Sequence, residues 1–240
     1  MFRQIRRLHT VPRLSVDAAK GIPGLFSPQA FQIAWTDHQT DLVKRLNAAV
    51  VDTDNETRSP FHIILNAGSR LDLSHVFNYA SQLYNNHMFF SGLTLAEGSS
   101  VPSQALARRL EVAFGSIENL REKILAASET IHANGWVFLV ETGEKKLEVV
   151  ACNNAGSPFH YGRQQSIDLS GPVDEDSLLG IDKATAAVTS KTKNHNIALL
   201  ALNLWQHAYV PDFGVGGRSK YIDAWWSKID WNQVSMRLFR

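Results

Sequence analysis

Midway along this chain of 240 residues hydrophobic spacing changes from a helical to a strand period, and the change constrains the fold more than any other feature. In the first half, apolar residues recur every three or four positions. Phe31, Trp35, His38, Leu42, Leu46 and Ala49 form one face of a long helix, and Ser27-Pro28 is a good start for it, a Ser cap followed by proline at the first helical position. Residues 51–60 are polar, end in Ser59-Pro60 and break the pattern. A second helix follows, with Val76, Phe77, Ala80, Leu83, Tyr84 and His87 on one face, so the two make an antiparallel hairpin. Shorter helices are expected over 104–114 and 117–131. From Gly135 the period is that of strands. Gly135–Glu141 and Leu147–Ala151 are β-branched and aromatic runs flanking Thr142-Gly143-Glu144, which reads as a hairpin.

Ile197–Leu202 is a third, fully apolar run and reads as a buried central strand, and Asn203, Trp205 and His207 at period two would then point the same way. Aromatic-rich helices are expected over Ser219–Ile229 and Asn232–Leu238. The segment from Ala96 to Ser103, small and polar with a glycine and a proline, is the best linker. The stretch from Cys152 to His195 has no strong period and reads as a long loop, a class usually functional or disordered. It sets Arg163, Lys183, Lys191 and Lys193 against Asp168, Asp174, Glu175, Asp176 and Asp182, which favours a protein-contact loop over an RNA-contact one.

A formal net charge of +1 does not advertise extensive phosphate contact, and no apolar run reaches the roughly 20 residues of a spanning helix, so no membrane role is expected. The single cysteine, Cys152, rules out an internal disulfide and reads as a buried, inert thiol. Residues 1–15 carry Arg3, Arg6, Arg7 and Arg13, with no acidic residue before Asp17. Such a stretch reads as a mitochondrial transit peptide, to be left out of the fold; a basic tail contacting RNA is the other reading.

Three segments resemble the iron/manganese superoxide dismutases. Asn203-Leu204-Trp205-Gln206-His207-Ala208-Tyr209 is similar to that family's Asp-x-Trp-x-His-Ala-Tyr, with asparagine in place of the ligand aspartate. Ala34-Trp-Thr-Asp-His38-Gln-Thr-Asp-Leu42 resembles its first-helix motif, and Asn86-His87-Met88-Phe89-Phe90 its Asn-His-x-x-Phe. Gly135-Trp136-Val137-Phe138-Leu139 and Cys152-Asn153-Asn154-Ala155 look like two strand motifs. The resemblance covers residues 25–240 and implies an α+β fold. It would have an N-terminal helical hairpin over 22–96 and a C-terminal α/β domain over 104–240 with a three-stranded antiparallel sheet, interrupted by an insertion loop over 153–195.

The family binds its metal through three histidines and one aspartate. By the resemblance those positions are Ala34, His87, Asn203 and His207, so two of the four ligands are kept. The neighbouring histidine is kept as His38 and the tryptophan as Trp205. The gateway tyrosine falls on Leu42, and the solvent-tuning glutamine of manganese members falls on Ala155. Positions 34, 38 and 42 are i, i+4 neighbours and are expected to face one cavity. Hard divalent ions depend on anionic oxygen ligands, so neither a metal cofactor nor dismutase activity is expected. The enzymatic alternatives are a residual dismutase and a rebuilt site, such as zinc on His38, His87 and His207.

The dimer contact also departs from the family. The glutamate that bridges subunits is Gln206, and the tyrosine that meets the partner's histidine falls on Val210, while His38 remains. Half of a reciprocal contact is missing, and a two-fold interface needs both halves on one chain. The partner is therefore expected to be a different dismutase-like chain. These features are similar to fungal mitochondrial small-ribosomal-subunit proteins of the superoxide dismutase type, which implies a catalytically inactive structural role in the mitochondrial matrix. Limited rRNA contact would fall to Lys44, Arg45, Arg108 and Arg109; as a plain reading those four are a solvated helix face. A scaffold of a non-ribosomal complex is the remaining alternative.

Overall fold

The computed structural model describes residues 9–14, 20–96, 100–159, 163, 175–189 and 196–238. Arg3, Arg6, Arg7, Asp17, Glu97-Gly98-Ser99, Asp168, Asp174, Lys191 and Lys193, all used in the sequence reading, lie outside them.

The fold is α+β. Helix α1 (Pro28–Phe31) runs through a π-helical stretch, Gln32–Asp37, into α2 (His38–Val50). Ser27 caps the start as expected, its hydroxyl accepting the Ala30 N–H at 3.1 Å. The same signature recurs at Ser59-Pro60, where it starts a helix rather than only ending a loop. Ser59 accepts from the His62 N–H and opens α3 (Pro60–Ala67), an element the sequence reading passed over. Helix α4 (Ser74–Phe90) then packs on both α2 and α3. Its apolar residues, with those of α2 and α3, merge with the sheet into one hydrophobic cluster. Each fully buried Leu or Phe there contributes about 1.5–3 kcal/mol.

Helices α5 (Gln104–Phe114) and α6 (Ile117–Glu129), each opened by a serine cap, cover β1 (Gly135–Glu141) and β2 (Leu147–Asn153). The third strand is β3 (Ile197–Asn203), and the antiparallel order is β2-β1-β3. Ile197–Leu202 is therefore an edge strand, not the central one. Its unbroken apolar character comes from α4 and α10 (Trp231–Leu238), which pack against it. β1, fully buried along its length, is the centre. Gly135 permits the close β1–β2 approach, since a Cβ there would sit 2.5 Å from the Cys152 carbonyl oxygen.

Three further expectations change. The region from Cys152 to His195 is not structureless, for it contains α7 (Glu175–Thr189). Its first part is tied to the N-terminal helices by Arg163. The guanidinium donates to Gly68 O, Arg70 O and Ser74 Oγ at 2.9–3.1 Å and lies over the Phe77 ring. Strand geometry ends at Asn203, and α8 (Gln206–Phe213) follows at once, so Trp205 and His207 do not continue a period-two alternation. Helix α9 (Arg218–Trp226) then leads to α10. Residues 9–14, expected to be left out of the fold, contact it. The His9 N–H and C=O both bond the Asn47 side chain at 2.9 Å, and Val11 and Leu14 pack on the core.

Candidate functional site

Of the four positions that the sequence reading marks as metal ligands, Ala34 lies in the π-helical turn, His87 on α4, Asn203 at the end of β3 and His207 on α8. The π turn decides what reaches the interior. The His38 N–H turns to Ile33 O and Trp35 O instead of Ala34 O, four residues back. In this wider turn a residue lies over the one five positions on, not four. Gln39 therefore comes in on the side of Ala34 and is fully buried, whereas His38 is half-buried.

Inside, three amides form a chain. Gln39 Nε2 donates to Leu83 O at 3.0 Å, and Gln39 Oε1 accepts from Asn86 Nδ2 at 2.9 Å. Asn86 Nδ2 also donates to Ala34 O at 3.1 Å. Asn203 Nδ2 donates to Asn86 Oδ1 at 3.3 Å, and its own Oδ1 accepts the Trp205 N–H at 2.9 Å. Gln39, Asn86 and Asn203 are all fully buried, so these bonds satisfy groups that would otherwise be costly. The last bond is an Asx-type turn that ends the strand. Gln206 N–H donates to Asn134 Oδ1 at the start of α8, so an asparagine from another loop satisfies one of its free amides.

His38 instead stands on the outer side with His207 and Trp205. The two imidazole centroids are 4.3 Å apart, and each ring also adjoins the Trp205 indole. Burial lowers the His38 pKa, with Asp41 opposing. Burial, followed by the repulsion of His38, pushes His207 down to about 3. Among the described residues, the Nε2 of His207 and the Nε1 of Trp205 have no hydrogen-bond partner. His87 packs on Trp35, 6.0 Å between centroids, and opens onto a cleft of about 790 Å³ between α4 and α10. Burial and the nearby Arg237 charge lower its pKa. Arg237 donates to Leu199 O, Met88 O and Ser91 Oγ, fastening α10 to β3 and α4.

Ala34 and Leu42 are buried, as is Ala155 in the turn after β2. That turn is held to α4 by Asn85 Nδ2, which donates to Gly156 O at 3.1 Å. Among the described residues, no group of three or more His, Cys, Asp or Glu side chains converges as a metal site would require. On the proposed contact face Gln206 is exposed, and Val210 is half-buried against the core. Of the four basic residues, Lys44 and Arg108 are exposed. Arg45 pairs with Asp41 at 2.6 Å on the solvent side. Arg109 is committed to Glu141, a buried carboxylate at the end of β1, also at 2.6 Å. Sequence reasoning missed Gln39, Asn134, Arg163 and Arg237. Asn86 stood in a quoted motif, but spacing alone gave it no task.

Comparison with known proteins supplies the rest. A family model described as iron/manganese superoxide dismutases, C-terminal domain, matches residues 102–170 and 172–237. Small ribosomal subunit protein mS43 of Schizosaccharomyces pombe is 34% identical over 239 residues, covering 96% of this chain and 84% of that protein. Small ribosomal subunit protein mS42 of the same organism is 31% identical over 185 residues, covering 75% of this chain and 74% of that protein. The iron superoxide dismutase of Legionella pneumophila is 25% identical over 229 residues, covering 95% of this chain and 98% of the enzyme.

Proposed function

The chain belongs to the iron/manganese superoxide dismutase family, and from that premise we propose that it is a structural protein of the mitochondrial small ribosomal subunit, not a dismutase. The observation that carries this reading is the pair of ribosomal relatives, matched at higher identity than the iron enzyme. The donor set agrees. The family implies an iron or manganese ion, and the residues at its ligand positions do not fit one. Ala34 has no side-chain donor, and both amide atoms of Asn203 are engaged in hydrogen bonds. That leaves two neutral imidazoles, His87 and His207, too few for a hard redox ion.

In this reading residues 22–96 form the helical hairpin domain and 104–240 the sheet domain, with the 153–195 insertion as a protein-contact element. The basic N-terminal stretch, residues 1–15, carries the mitochondrial address to the matrix. The partner is a paralogous dismutase-like chain. Two relatives with different names occur in one organism, and this chain matches mS43 at higher identity and over more of its length, which supports an mS42-like partner. His38, Gln206 and Val210 mark the contact face. Phosphate contact, where it occurs, falls to Lys44 and Arg108 more than to Arg45 and Arg109, whose charges are already paired.

The test is sedimentation of tagged protein from mitochondrial lysate on a sucrose gradient. Co-migration with small-subunit rRNA that collapses when magnesium is chelated supports the assignment. Migration as a light species clear of the rRNA overturns it.

A further inference from the structure

The metal position of the family is rebuilt in this chain as a hydrogen-bonded joint of fixed direction. We propose that the Gln39–Asn86–Asn203 amide chain replaces the metal as the fastener between the N-terminal helices and the sheet, and that Asn203 makes the site select against the carboxylate dismutases carry there. The proposal rests on the metal-free reading above.

Direction follows from backbone groups that can play only one role. Leu83 O can only accept, so Gln39 presents its NH2 there and turns Oε1 to Asn86. Ala34 O can only accept, so Asn86 presents its NH2 on that side and turns Oδ1 to Asn203. The Trp205 N–H can only donate, so Asn203 offers it Oδ1 and turns Nδ2 to Asn86. Three independent anchors agree on one orientation, running from Trp205 through Asn203, Asn86 and Gln39 to Leu83. Residues on α2, α4 and β3, far apart in sequence, are joined by it.

An aspartate at 203 would keep the Trp205 bond and lose the Asn86 one. Its carboxylate would face the Asn86 oxygen, acceptor against acceptor, in a fully buried place. Rotating Asn86 to help would take its NH2 away from both Ala34 O and Gln39 Oε1. In a dismutase the metal cation stabilises the anion; here the facing group is a neutral amide oxygen, and a neutral amide is the fitting partner for it. A protonated aspartic acid, however, has a hydroxyl that can donate to Asn86 Oδ1 and restore the chain.

That property gives a decisive test on the full chain. Thermal unfolding of N203D and of the parent is measured at pH 7.5 and at pH 5, with and without added manganese(II), iron(II) or zinc. Histidines 38, 87 and 207 are present in both proteins, so their titration enters both melts. At pH 7.5, N203D should melt roughly 4–8 °C below the parent, and the gap should narrow at pH 5 as the aspartate takes up its proton. A variant as stable as the parent at pH 7.5, a gap independent of pH, or stabilisation of N203D by a metal would each overturn the proposal. Should N203D not fold, Q39E is read the same way. The carboxylate it introduces keeps the bond from Asn86, faces Leu83 O with an acceptor, and should recover on protonation; a pH-independent loss overturns the proposal. Metal analysis of the parent separates the two readings. Stoichiometric metal in it sinks the metal-free reading, whereas a metal-free parent with an indifferent N203D sinks the amide chain alone.

Discussion

The imidazoles of His38 and His207 stand 4.3 Å apart, centroid to centroid, so that a charge on both rings at once is disfavoured. The folded pKa of each lies below the usual 6.5, His207 falling to about 3. A depressed histidine pKa means that the unfolded chain binds protons the folded one refuses. Stability is then complete above about pH 6.5 and drains as pH falls. Each such histidine adds a slope of up to about 1.4 kcal/mol per pH unit. Urea melts between pH 7.5 and pH 5 should show the decline, and His207→Gln should flatten it. A melt that does not change over that range would contradict the pairing.

Glu141 and Arg109 make a second testable pair. Burial alone would raise the Glu141 pKa, but Arg109 and then Lys145 hold it below the ordinary value. Its contribution is present above the unfolded pKa and is lost as pH falls through the lower folded one. Arg109→Ala leaves a buried carboxylate facing only the exposed Lys145 and should cost about 3 kcal/mol at neutral pH. Chemical denaturation measures this directly. A cost below about 1 kcal/mol would place the pair with ordinary surface bridges.

Arg163 should govern how firmly the 153–195 insertion is held. Arg163→Ala removes donors to Gly68 O, Arg70 O and Ser74 Oγ together with the contact over Phe77. The expected outcome is faster limited proteolysis within the insertion at unchanged secondary structure, and a loss of about 1–3 kcal/mol. Proteolysis at the parent's rate would show that other contacts hold it.

Cys152 should resist thiol reagents in the folded protein. It is fully buried between β1 and the helices, and burial pushes its pKa well above the ordinary value. Labelling should be slow in buffer and rise with the unfolded fraction in urea. Rapid labelling in buffer would mean that this part of the sheet opens locally.

Purified alone, the chain should not form a two-fold dimer through the His38, Gln206 and Val210 face, whereas co-expression with an mS42-like relative should give a one-to-one complex. Analytical ultracentrifugation distinguishes the two. A homodimer of the isolated chain that survives Val210→Glu would count against the paralogue pairing.

Much of the fold was legible because it rests on local rules. Ser27-Pro28 announces a helix wherever it stands, and the Gly135 and Leu147 runs announce a hairpin by their own composition. The same rule applied at Ser59-Pro60 would have found α3. The position of β3 was not legible, because an apolar run reads alike in a central strand and in an edge strand covered by helices. The turn from β3 into α8 also escaped, since it depends on Asn203 and Asn134 side chains bonding backbone groups.

What the sequence by itself determined was the residue types at two positions: Ala34 has no ligating side-chain atom, and Asn203 carries no negative charge, whatever surrounds them. What only the tertiary structure decided was the replacement. The π turn brings Gln39 in on the side of Ala34, and three residues from separate segments align donor to acceptor. Hydrogen-bond direction is a property of atoms in space. No spacing along the chain encodes it, because spacing carries the period of a helix and not the local widening that shifts it.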